Sequence, residues 1–118
     1  MGGLKIGDVR KVVGMFYSVS REEMLSPARK HKVSHPRQVA MALALELVSG
    51  SSSVKIGRHF NRDHSTALVS MKKVRARLDA DAKFRLEVEA MRAELLRIDR
   101  ERQPQIYQQP LVTVGLNG

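Results

Sequence analysis

The chain has 118 residues, no cysteine and a formal net charge of +9. Its length predicts one small domain, the absence of cysteine excludes disulfides and thiolate chemistry, and no apolar run approaches the ~20 residues that span a membrane. Residues 1–78 carry 15 Lys and Arg against 5 Asp and Glu, and residues 79–118 carry 6 against 7. This asymmetry is typical of a polyanion partner for the first part, but charge alone fits a merely basic, soluble surface equally well.

The first predicted element is a helix over about residues 6–17. Apolar residues recur there at helical spacing and predict its buried face: Ile6, Val9, Val13 and Phe16, with Val12 widening the stripe. A short helix should follow, because Ser20 and Glu23 have the spacing of a capping box. The apolar residues of the first helix are expected to form part of the core and not a cofactor site.

A basic segment without carboxylates, A-R-K-H-K-V-S-H-P-R, covers residues 28–37 and shows no clear apolar period. We interpret it as a loop that straddles DNA phosphates or places an arginine in a minor groove, the alternative being a solvated loop with incidental charge. His31 and His35 are four residues apart, but without cysteine or a nearby carboxylate they are a weak signal for a metal. No metal site is predicted.

A central helix should begin at Pro36, which suits the first helical position, and continue to about Ser49. It is apolar on most sides, as expected for the middle of a small bundle. Its apolar residues are Val39, Ala40, Met41, Ala42, Leu43, Leu45, Leu47 and Val48. Gly50 can then supply a left-handed end.

Two further helices with a short link predict a helix-turn-helix. Serine hydroxyls at positions 51–53 can cap a helix over residues 54–60, Asn61 and Arg62 connect, and Asp63 is the expected N-cap of a longer helix that runs to about Leu78. Its predicted buried stripe consists of Ala67, Leu68, Met71, Val74 and Leu78, whereas Ser65, Thr66, Val69 and Lys73 point the other way.

The start of this longer helix has chemistry that suits a DNA major groove. An aspartate can accept a hydrogen bond from the cytosine N4 amine, a histidine can donate to a purine acceptor, and a threonine methyl can meet a thymine methyl. Asp63, His64 and Thr66 provide these groups, and the cations that follow can reach phosphates.

The rest of the chain begins with a break at residues 79–81 and continues as an amphipathic helix. Its apolar residues are spaced by three and four: Phe84, Val88, Met91, Leu95 and Ile98. This helix either docks on the bundle or pairs with a neighbour, and residues 104–118 form a mobile tail rich in Gln and Pro. The predicted architecture is an all-α bundle with a helix-turn-helix domain at residues 4–78, an extra C-terminal helix at residues 79–103, and the tail.

Residues 9–78 resemble the C-terminal DNA-binding domain of the bacterial replication initiator DnaA. The resemblance rests on F-Y-S-V, M-L-S, P-R-Q-V-A-M-A-L-A-L-E-L and I-G-R-H-F-N-R-D-H-S-T-A, in that order. It implies an all-helical, Trp-repressor-like module that binds a short asymmetric box related to TTATNCACA. The phosphate loop of an ATPase is missing from this sequence.

The resemblance also implies which residues contact DNA. Arg29 matches the arginine that enters the minor groove, and Asp63, His64 and Thr66 match the residues that read the major groove. Ser65 replaces the usual first threonine, and Val69 stands where histidine is frequent. Together these six are the predicted base contacts. The predicted phosphate contacts are Lys30, Lys32, Arg37, Gln38, Arg62 and Lys73. The turn before Arg62 is one residue shorter than the common form, and Leu45 replaces a frequent lysine.

We therefore expect a sequence-specific binder of double-stranded DNA, located in the cytoplasm at the nucleoid, that regulates replication or transcription without cofactor, nucleotide or membrane. The alternative is an adaptor that keeps the fold and uses residues 82–102 and the tail to engage an initiator or a polymerase component. Residues 82–102 could also form a homo-oligomer. An enzyme built on His59, Asp63 and His64 is the least favoured reading, because capping and groove contact explain these residues more simply.

Overall fold

The computed structural model describes residues 3–102, which form six helices and, within that range, no strand. The helices are α1 (Ile6–Tyr17), α2 (Arg21–Leu25), α3 (His31–Leu47), α4 (Ser53–His59), α5 (His64–Ala80) and α6 (Ala82–Arg102). The all-α prediction is confirmed, including the helix-turn-helix and the extra C-terminal helix. The predicted tail at residues 104–118 lies outside the described residues.

Local signals in the sequence set several of these helix ends. Ser20 and Glu23 form both bonds of the capping box, with Glu23 N donating to Ser20 Oγ at 3.1 Å and Ser20 N donating to Glu23 Oε1 at 3.0 Å. Ser52 caps α4 by accepting from the backbone N–H of Lys55 at 3.1 Å. Gly50 has a φ of 76°, so the left-handed turn after α3 is formed as predicted.

The segment predicted as a loop is largely helical, because α3 begins at His31 and not at Pro36. The N–H groups of Val33 and Ser34 both donate to the Lys30 carbonyl and close the first turn. Pro36 lies one turn inside the helix, where its missing N–H forfeits a single bond. Val33, Pro36 and Arg37 are buried, so the inward face of this part of the helix includes a charged residue, and apolar spacing alone could not reveal it.

Helix α3 forms the middle of the bundle, as predicted, and packs against α1 and α5. It buries continuous apolar sequence from Val39 to Ala44. Two residues predicted for the core are exposed instead, namely Phe16 at 46% and Leu68 at 39%. Gly14 and Ser70 are buried in their stead.

The exposure of Phe16 follows from the turn after α1. Ser18 adopts a φ of 58°, and Val19 N donates to the Gly14 carbonyl at 2.8 Å. A Cβ at position 14 would meet the Val19 carbonyl oxygen at 2.6 Å, so the returning chain occupies this side of the helix. Val19 is thereby buried, and Phe16 is left towards solvent.

Helix α6 docks on the bundle along the predicted apolar stripe. Phe84, Val88, Met91 and Leu95 are all at most 1% exposed, and the helix packs against α1 and α5. It runs antiparallel to α1, since Tyr17 donates to Glu87 at 3.1 Å near one end and the N–H of Gly3 donates to Asp99 at 2.5 Å near the other. Of the two fates predicted for this stripe, the structure shows docking.

A partly buried histidine, His35, lies where α1, α3, α5 and α6 meet. The ring of His35 lies 5.5 Å from that of Tyr17, 5.4 Å from that of Phe84 and 5.2 Å from the stacked ring of His31. Arg77 approaches it at 3.1 Å. Burial lowers the pKa of His35, and the positive charges of Arg77 and His31 lower it further, although Glu87 acts in the opposite direction.

We expect the free energy of unfolding to decrease when the pH falls from about 7.5 to about 5.5. Unfolded histidine takes up protons near pH ~6.5, whereas folded His35 resists protonation, so acid favours the unfolded chain. His59 acts in the same direction, because burial and the charges of Arg10 and Arg21 lower its pKa. Urea unfolding at both pH values should show the loss, and the double variant His35→Gln/His59→Gln should reduce it. A stability that rises on acidification would contradict the assignment.

Candidate nucleic-acid interface

The helix-turn-helix consists of α4, a four-residue connection from Phe60 to Asp63, and α5. Asn61 adopts a φ of 58°, a left-handed conformation that asparagine tolerates well. Arg62 N donates to the Gly57 carbonyl at 2.7 Å. A Cβ at Gly57 would lie 2.6 Å from the Arg62 carbonyl oxygen, so only glycine lets the turn fold this closely onto α4.

The turn is fastened to α2 as well as to α4. The Asn61 side-chain amide donates to the Leu25 carbonyl at 3.3 Å, and Arg62 Nη2 donates to the Ser26 carbonyl at 2.8 Å. These bonds fix the start of α5 relative to the segment that carries Arg29. The predicted phosphate contact Arg62 also donates weakly from Nη1 to the Asn61 carbonyl at 3.4 Å, and its guanidinium has further donors left for a ligand.

The first residues of α5 are accessible. Asp63, His64 and Ser65 are exposed, Thr66 is partly exposed, and Val69 is 48% exposed. Asp63 occupies the N-cap position, as predicted, but its side chain makes no capping hydrogen bond. Its carboxylate can therefore accept from another donor, such as a base amine.

An open cleft of about 780 Å³ joins this helix start to the segment between α2 and α3. Six of the predicted contact residues share its lining: Arg29, Arg37, Gln38, Arg62, Asp63 and Thr66. The predicted contacts outside the lining are His64, Ser65, Val69, Lys30, Lys32 and Lys73, all of them exposed. Arg29 and the start of α5 therefore face one groove, although they are distant in sequence.

The same groove contains residues that the sequence analysis did not select. Ser34, Arg58 and Asn61 line it, and Arg58 is exposed. Arg58 could have been found from its place in the last turn of α4, directly before the turn that presents α5. Ser34 was obscured because its segment was interpreted as a loop.

Arg37 has a different role from the predicted phosphate contact. It is only 3% exposed, and its guanidinium donates to four backbone carbonyls, those of Glu23, Met24, Ser26 and Ala28, at 2.8–3.1 Å. These carbonyls lie at and beyond the end of the short helix α2, where backbone acceptors lack helical partners. The geometry contradicts the phosphate assignment, since Arg37 is committed to holding the segment before α3.

Within residues 3–102, the Lys and Arg residues that precede Arg77 form no internal ion pair. The ion pairs formed within residues 3–102 involve Arg77, Arg92, Arg97 and Arg102. None of the 14 Lys and Arg residues between positions 3 and 75 has such a partner among the described residues. The positive field predicted from composition is therefore not neutralised where the groove lies.

The described part of the chain lacks two other kinds of feature. It contains no group of three or more His, Cys, Asp or Glu side chains placed to hold a metal ion. None of its helices combines the length and the apolar character needed to cross a membrane.

Comparison with known proteins agrees with this geometry. Residues 6–74 match the family described as "Bacterial dnaA protein helix-turn-helix". Over 93 residues the chain is 43% identical to the chromosomal replication initiator protein DnaA of Bradyrhizobium sp. strain BTAi1, and 42% identical to the proteins of that name from Rhodopseudomonas palustris strain BisA53 and Nitrobacter hamburgensis. The match covers 78% of this chain and 19% of each relative, so the chain spans about a fifth of their length. The chain belongs to the bacterial DnaA helix-turn-helix family.

Proposed function

We propose that this chain binds a specific double-stranded DNA box, related to TTATNCACA, and regulates replication or transcription without hydrolysing nucleotide. The observation that carries the proposal is the groove in which Arg29 faces the exposed start of α5. A recognition helix enters the major groove with its first residues, while an arginine from a neighbouring segment can follow the adjacent minor groove.

Each predicted residue has a distinct task in this proposal. Arg29 enters the minor groove, and five residues of α5 and its cap read bases in the major groove: Asp63, His64, Ser65, Thr66 and Val69. Lys30, Lys32, Gln38, Arg62 and Lys73 hold phosphates and fix the register. Arg58 joins the phosphate contacts because it is exposed and lines the same groove.

The adaptor alternative would use α6 and the tail to engage a partner. The apolar stripe of α6 is buried against α1 and α5, so a partner would have to use the opposite face of this helix or the tail. We favour DNA binding because Arg29 and the exposed start of α5 face one groove. We place the protein in the cytoplasm, at the nucleoid, where its DNA target would be.

A competition experiment tests the proposal. Fluorescence anisotropy at about 0.15 M salt measures the affinity for a duplex with the box and for a shuffled duplex of equal composition. The affinity for the box should be higher by at least about a hundredfold, because the shuffled duplex differs from the box at several base pairs. Equal, weak binding to both duplexes that disappears with modest salt would indicate phosphate contact alone and favour the adaptor.

Lys73→Ala should weaken binding to box and shuffled duplexes by the same factor. Lys73 is exposed and has no ion-pair partner among residues 3–102, so we expect it to neutralise a phosphate without reading a base. The slope of log affinity against log salt should become shallower by about 1. Lys83→Ala, on the exposed side of α6, is the matched control and should leave the slope unchanged. A loss of affinity for the box duplex alone would indicate that Lys73 contacts a base and not a phosphate.

A further inference from the structure

A second cleft, of about 400 Å³, lies between α1 and the start of α2. Its lining contains three cations, Arg10, Lys11 and Arg21, and two hydroxyl groups, those of Ser18 and Ser20. No carboxylate of residues 3–102 lines it. None of these five residues belongs to the predicted DNA contacts, so the cleft is a feature that the proposed function does not explain.

The guanidinium of Arg10 is held in place from the side of α4. Arg10 Nη1 lies 2.8 Å from His59 Nε2. Because arginine can only donate, Nε2 is the acceptor and the ring proton is on Nδ1. His59 is therefore a neutral partner that orients Arg10 without cancelling its charge.

The positive charges in the cleft are close together and uncompensated. Neither Arg10 nor Arg21 forms an ion pair with another described residue. Burial lowers the pKa of Arg10, and the charge of Arg21 lowers it further, whereas Asp8 acts in the opposite direction. An anion between the two arginines would relieve this repulsion.

We propose that Arg10, Lys11 and Arg21 bind a phosphate group in this cleft, assisted by the hydroxyl of Ser18. The Ser20 hydroxyl is already engaged by Glu23, since it accepts from Glu23 N and bonds the Glu23 carboxylate, so Ser18 is the hydroxyl that we assign to the ligand. Arginine forks and hydroxyl donors match the acceptor oxygens of phosphate. The phosphate belongs either to DNA that flanks the recognised box or to a free phosphate compound, and the two arms of the experiment distinguish these sources. The DNA arm alone depends on the proposed function.

The first arm measures phosphate binding without DNA. NMR spectra of the full chain are recorded during titration with inorganic phosphate, against sodium chloride at matched ionic strength. The His59 ring and Arg10 side-chain signals should shift and saturate in the wild type. The shifts should be absent in Arg10→Gln/Arg21→Gln and preserved in Lys83→Gln/Arg100→Gln, which removes the same charge from α6. Arg21→Gln alone, on an exposed side chain, repeats the test without disturbing the Arg10–His59 contact.

The second arm measures DNA affinity against salt for two duplexes, one limited to the box and one extended on both sides. If flanking DNA is the source, Arg10→Gln/Arg21→Gln should make the salt slope shallower by about 0.9 per lost phosphate on the extended duplex only. A saturable NMR response with unchanged slopes assigns the site to a free phosphate compound. Absence of both effects overturns the proposal. Failure of the wild type to prefer the box, with the NMR response intact, would overturn the proposed function and leave the phosphate site standing.

Discussion

Replacing Arg29 and His64 together by alanine is expected to weaken binding to the preferred box by about 2–6 kcal/mol, or roughly thirtyfold or more. Each residue should contribute about 1–3 kcal/mol, because a base contact made in one groove is lost. The two side chains lie on different segments, so their losses should add. Isothermal titration or anisotropy on the box duplex measures the effect.

The control for this double variant is Arg85→Ala/Lys83→Ala, which removes two exposed cations from α6. It should lose little affinity, and that loss should be equal on box and shuffled duplexes. If the Arg29 and His64 variant also lost affinity equally on both duplexes, these residues would contact phosphates and the base-reading assignment would be wrong.

Arg37→Ala is expected to lower the free energy of unfolding by at least about 3 kcal/mol, since four carbonyls lose a charged donor together. All four belong to the segment from Glu23 to Ala28, so the path from α2 to α3 should loosen first. Chemical denaturation gives the stability change, and amide hydrogen exchange locates it.

The Arg37→Lys variant distinguishes the hydrogen bonds of the guanidinium from the effect of its positive charge. A lysine keeps the positive charge but cannot reproduce the planar fork of donors, so we expect much of the stability loss to remain. A stability loss below about 1 kcal/mol in both variants, the scale of one ordinary hydrogen bond, would contradict the structural role. If the Arg37 variants bound all duplexes more weakly while their free energy of unfolding was unchanged, the result would indicate that Arg37 contacts a phosphate.

The sequence predicted those features that depend on neighbours along the chain. The bounds of α1, the capping box at Ser20, the left-handed Gly50 and the order of α4, turn and α5 all follow from periodicity or from single turn residues. The start of α5 was found for the same reason, because Asp63 precedes a regular apolar pattern.

Tertiary packing decided what the sequence analysis missed. The charge of Arg37 indicates a surface residue, but the carbonyls that surround it come from a segment more than eight residues away. Leu68 fits the helical stripe as well as Ser70, yet Ser70 is the buried residue. The docking of α6 could not be decided from its stripe, because the partner surface on α1 and α5 exists only in the folded molecule.

The most direct test of the DNA-reading account is a selection of bound sequences from a random duplex library at physiological salt. We predict that the wild-type protein selects one asymmetric motif related to TTATNCACA. A parallel selection with the His64→Ala variant should give a weaker base preference at the positions that are read in the major groove. Recovery of random sequences by the folded wild-type protein would contradict the account, because the exposed start of α5 would then read no bases.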